Sequence, residues 1–178
     1  MPSYFEIPDG YPLTNSQHIR TTKDHLVYPH YTYDPYSPPH QDLEWGEPNA
    51  GHVCVKCLQP YSVLPMANLK LFIGRAGAEF DASQLNEVTP NGDWSNVTGQ
   101  NVVHIGTWDL KTPLCNINPG FLRWFDFTIV KDKIPPVGTP VALLALVETG
   151  EVHTTVAASL YFAQRNVSVV DNYLTVNL

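Results

Sequence analysis

Apolar positions along the chain follow two textures. From residue 51 onward they come in short runs closed by Gly, Pro, Asn or Asp, whereas before residue 50 they are broken up by proline. Residues 51–58, 67–74 and 102–108 each read as a strand between turn signals. Residues 121–130 alternate, with Phe125, Phe127 and Ile129 on one side and Leu122, Trp124 and Asp126 on the other, which predicts a half-buried strand. Residues 140–149 form the most apolar run, PVALLALVET. It is too short to span a membrane, and Gly138, Pro140 and Gly150 around it favour a strand buried on both faces over a short core helix. Residues 160–170 predict one more strand, and the tail 173–178 has strand propensity that suits pairing with the sheet or with a neighbour. Amphipathic helices between strands are not found, so two packed antiparallel sheets, an all-β sandwich, are expected.

Two stretches depart from this pattern. The first 50 residues hold eight of the 16 prolines and six of the nine tyrosines. Each proline removes a backbone donor and fixes φ, so an extended arm (1–50) preceding the sandwich (51–178) is expected. Its aromatic content is too high for a disordered linker. Tyr28, Tyr31, Tyr33 and Tyr36 are candidate interface residues, either folding the arm back on its own domain or meeting a neighbour. The second stretch is the long polar loop 75–100, which contains Trp94. A loop of that size is functional or carries short elements of its own. Trp94 is expected to plug it against the sandwich, with an exposed binding role as the alternative.

Composition narrows the function. The chain has 178 residues, enough for one domain with a sizeable core plus an appendage. Its formal charge is -7, with ten Lys and Arg, so no basic face is available for nucleic acid or an anionic membrane. No run of 18 apolar residues exists, and no membrane insertion is expected. The first ten residues lack a positive segment followed by an apolar one, so no secretory signal is read there. That leaves cytoplasmic assembly, or a processed piece of a longer chain.

Candidate chemistry is sparse. Cys54 and Cys57 have the CxxC spelling of a redox or zinc site, yet they lie in a strand-like segment where residues three apart face opposite ways. With Val53, Val55 and Cys57 inward, Cys54 is expected to face out, where it is a free thiol or pairs with Cys115 or another subunit. His25, His30 and His40 are unevenly spaced across proline turns and read as solvated or capping side chains. Glu79, Asp81, Glu87 and Asp93 lack the regularity of a calcium loop. Cys115 with His104 or His153 and Asp109 has no spacing that favours catalysis, and Gly-x-Ser-x-Gly is absent. The acid pairs Glu44/Glu47 and Asp126/Asp132 read as solvated charges. The sequons at Asn96 and Asn166 read as chance occurrences. No catalytic residue, cofactor or metal is therefore assigned.

Three segments occur in an order seen elsewhere: VVHIGT (102–107) before the aromatic strand with Trp124, then PVGTPVALLALV (136–147), then FAQRNVSVV (162–170). Together they resemble bacterial and phage immunoglobulin-like modules of the CARDB, cell-adhesion-related type. Those modules carry an IGT strand, a G-x-x-x-LLA-x-V strand and a final NNVAQRNVTV strand. The likeness covers about residues 51–170 and departs at residues 158–161 and in loop 75–100. It implies an immunoglobulin-like sandwich with no catalysis, which spaces, displays or joins other parts in surface, secreted or phage proteins. The expectation is thus a structural or assembly protein of an extracellular surface filament or virion, self-associating or binding a larger partner. The alternatives are a glycan-binding adhesion module using Trp45 or Trp94 as a platform, or an accessory domain of a larger enzyme.

Overall fold

The computed structural model describes residues 4–10, 13–23, 32–33, 40–60, 66–110, 120, 122–149 and 161–171. The elements among them are strands and short 3-10 turns. The strands are β1 (Phe5–Glu6), β2 (Ile19–Lys23), β3 (Thr32–Tyr33), β4 (Leu43–Glu44), β5 (Asn49–Cys57), β6 (Ala67–Arg75), β7 (Asn86–Glu87), β8 (Asn101–Asp109), β9 (Leu122–Ile129), β10 (Val141–Thr149), β11 (Phe162–Val167) and β12 (Val169–Val170). The strands expected at 51–58, 67–74, 102–108, 121–130 and 140–149 are β5, β6, β8, β9 and β10.

They form two main sheets, and the chain is an all-β sandwich. In the first sheet β5 pairs with β9 along one edge and with β1 and then β2 along the other, and β3 lies beyond β9. The second runs β11-β10-β6-β8-β7. Pairing is antiparallel except for β7 with β8 and the small β12–β4 ribbon, which are parallel.

Alternation builds the core between the sheets. Val53, Val55 and Cys57 of β5 and Phe125, Phe127 and Ile129 of β9 face Leu69, Leu71 and Ile73 of β6 and Val141, Leu143, Ala145 and Val147 of β10. Gly106 lets the sheets come this close, because a Cβ there would sit 2.9 Å from Cδ1 of Phe127.

β10 is buried on both faces for a specific reason. Ala142, Leu144 and Leu146 point away from the main core into a second apolar cluster with Phe72, Val102 and Phe162. Loop 75–100 roofs that cluster: Phe80 is buried in it, and Ala76, Ala78, Ala82 and Leu85 pack against it. The loop also carries the short strand β7 and a turn at Trp94–Asn96.

Three expectations change. Residues 160–170 are not one strand: the pairing of β11 with β10 ends at Val167, and β12 pairs instead with β4. Ser168 marks the handover, its N–H donating to Asp42 Oδ1 and its carbonyl accepting from Leu43 N. β9 is more than half-buried, since Trp124, on the side away from the core, is 1% exposed. Cys54, paired in register with Trp124, is buried and does not face solvent.

The described parts of the first 50 residues are built into the sandwich. Phe5, Ile7 and Ile19 belong to the main core, and residues 14–16 run along the outer edge of β11 through Ser16 N to Gln164 O and Asn166 N to Thr14 O. Tyr33 lies in β3 at a register position opposite Arg123. Tyr28, Tyr31, Tyr36, Cys115 and the tail 173–178 lie outside the described residues.

Candidate functional site

An open groove of about 920 Å³ lies between loop 75–100, the turn after β9 and the residue following β4. Two tryptophans, Trp45 and Trp94, line it. Trp45 follows β4 and is 48% exposed. Its backbone N–H donates to Val170 O of β12 at 2.9 Å, and Leu43 two residues earlier is fully buried. The indole is therefore held out on an anchored stem.

Trp94 is fixed more elaborately. Asn91 and Gly92 both take positive φ (48° and 84°), as the tight turn of an Asn-Gly pair requires, and Asp93 N closes it on Pro90 O at 2.8 Å. Asp93 then caps the Trp94–Asn96 turn by accepting from Ser95 N at 3.0 Å. Arg75, at the end of β6, reaches across to donate from Nη2 to Trp94 O (2.9 Å) and from Nε to Val97 O (3.1 Å). The Trp94 ring packs partly against the main core and partly lines the groove. Trp94 is thus half-buried, part of its side chain packing as the expected plug and part lining the groove.

Polar groups complete the groove. The turn at Lys131–Lys133 is anchored by buried Ile134, and Lys133 Nζ donates to the edge carbonyl of His104 at 2.9 Å. The His104 ring hydrogen-bonds Thr107 Oγ1 at 2.8 Å and lies 3.8 Å from Glu87 Oε1. Asp132 and Lys131 are exposed on the turn. The arrangement suits binding: flat apolar faces, a rigid frame, and donors and acceptors of both kinds.

A second constellation lies on the outer face of the first sheet and was not singled out from sequence. Thr22 Oγ1 is 2.7 Å from His52 Nε2, and His52 Nδ1 is 2.7 Å from Asp126 Oδ1. β2, β5 and β9 place these three side chains abreast. Because a carboxylate only accepts, Nδ1 donates to Asp126, and a neutral ring then accepts from Thr22 through Nε2. The order hydroxyl, imidazole, carboxylate is that of an activated nucleophile. Thr22 and His52 are each 1% exposed, however, so a substrate has no access to the hydroxyl. The set satisfies buried polar groups, and Asp126 is not the solvated charge that its pairing with Asp132 suggested.

Beside it, His18 stacks on Trp124 at 6.2 Å and the Arg20 guanidinium sits 5.1 Å from the indole centroid. Cys57 is a core thiol donating to Gln59 O, and burial pushes its pKa up, opposite to what a reactive thiol needs. Asp81 and Asp93, weighed as calcium ligands, accept from Ser83 and Ser95 in local turns, which holds both carboxyls below their usual range. Among the described residues no three His, Cys, Asp or Glu side chains converge on a metal-sized site. His40 is a capping side chain, accepting from Thr21 N. No family model and no curated protein matches the chain.

Proposed function

We propose that the chain is a non-catalytic recognition module of a surface or virion assembly, working through the groove lined by Trp45 and Trp94. One observation carries this reading. Two tryptophans from distant parts of the chain, each with its backbone held by a hydrogen bond, line one open groove. Rigid aromatic anchors in a preformed concavity are where binding energy concentrates, because little freedom is lost on docking. The resemblance to adhesion-related immunoglobulin-like modules points the same way.

Association of copies strand to strand has less support, since the described edges are blunted. Residues 14–16 cover β11. Lys133 occupies the His104 carbonyl of β8, and Trp108 Nε1 occupies the Asp126 carbonyl of β9. Such capping removes the row of unpaired groups that strand addition requires.

The test is to screen the chain and its Trp45→Ala variant in parallel against a glycan array and a displayed peptide library. Binding that disappears in the variant, with the bound compound recovered chemically unchanged, supports the reading. Equal binding by both proteins, or turnover of the compound, overturns it.

A further inference from the structure

We propose that the occupant of the groove is an uncharged polysaccharide chain, one of its sugar rings stacking on Trp45; this rests on the groove being the recognition surface. A sugar ring has one apolar face of C–H groups and a rim of hydroxyls that both donate and accept. It therefore asks for a flat aromatic face beside mixed polar side chains. The groove offers that combination. Trp45 presents an exposed indole face and Trp94 a partly buried one, while Lys131 supplies donors and Glu87 and Asp132 supply acceptors.

Charge favours an uncharged ligand. Lys131 and Lys133 are offset by Glu87 and Asp132 along the lining, so neither a polyanion nor a polycation gains a net field. An extended peptide is a poorer fit. It would dock by pairing with the β8 edge, and the His104 carbonyl in the groove is already taken by Lys133. The groove is open to solvent, and the hydrogen-bonded turns around Trp94 mean that binding needs no loop closure.

The experiment is affinity gel electrophoresis of the whole chain through gels containing soluble xyloglucan, mixed-linkage β-glucan, galactomannan or glycogen, with polygalacturonate and heparin as charged comparisons. At least one neutral polysaccharide is expected to retard the protein. Trp45→Ala is expected to weaken that binding by about tenfold or more, the scale of losing one stacked ring. Its melting temperature should fall by no more than a few degrees, because about half of the side chain is exposed. A paired Lys131→Ala/Asp132→Ala variant, which leaves both indoles in place, should also bind more weakly.

Retardation only by the charged polymers, or by none, overturns the proposal. So does neutral-polymer binding that survives Trp45→Ala. If peptide-library binding is instead lost in Trp45→Ala, the saccharide assignment fails while the groove remains the recognition surface. Loss of neither kind of binding sinks both.

Discussion

His40 Nδ1 accepts the Thr21 backbone N–H at 3.1 Å, and a nitrogen that accepts cannot hold a proton. Burial, with the positive charge of Arg165 adding to it, lowers the His40 pKa from 6.5 to about 4. The unfolded chain therefore takes up this proton at a higher pH than the folded one does. Stability from this site is intact above pH 6.5 and falls as pH drops from 6.5 toward 4. Urea melts across that range should show the decline, and His40→Gln should flatten it. Asp126→Ala strands the buried Nδ1–H of His52 and is expected to cost about 1–3 kcal/mol in chemical denaturation. Gly106→Ala is expected to cost a similar ~1–3 kcal/mol by driving Phe127 from its place.

Among the elements, β10 carries the clearest dependence on tertiary context. Leu144 is fully buried on the face away from the main core. Leu144→Ala should destabilise the fold by about 2–5 kcal/mol, and Phe80→Ala, which opens the roof from the loop side, by about 3–5 kcal/mol. An unbroken apolar run told the sequence reader that both faces of β10 are covered. It did not say by what, because Phe80 stands among small and polar residues in a stretch that reads as a surface loop. The opposite error arose at Cys54 and Trp124. Alternation correctly put them on the far side from Val53 and Phe125, but period two reports which face a residue takes, not whether that face is wet. The strand broken at Ser168 was hidden because Val167 and Val169 both suit a strand, and only Asp42, far away in sequence, marks the break.

For the molecule as a whole, the groove is a meeting of parts that no local pattern joins. Trp45 and Trp94 were each visible as candidate aromatics. Their presence in one groove depends on the β12–β4 ribbon placing Trp45 and on Arg75 holding the loop, both long-range contacts. Arg75→Ala is therefore expected to weaken ligand binding several-fold by freeing the Trp94 backbone, with Trp45→Ala as the comparison. Isothermal titration with whichever ligand the screens identify would measure it, and unchanged affinity would show that Trp94 holds its place without the arginine.

Loop 75–100 does two jobs at once, roofing β10 with its first half and presenting Trp94 with its second. Surface loops normally tolerate exchange and insertion, but here a swapped or lengthened segment would uncover Leu144 along with whatever new contacts it brought. Diversification of the binding surface should accordingly proceed through Trp45 and the exposed residues 131 and 132, which cover no part of β10. An engineer retuning the groove would do well to randomise those positions and leave the roof alone.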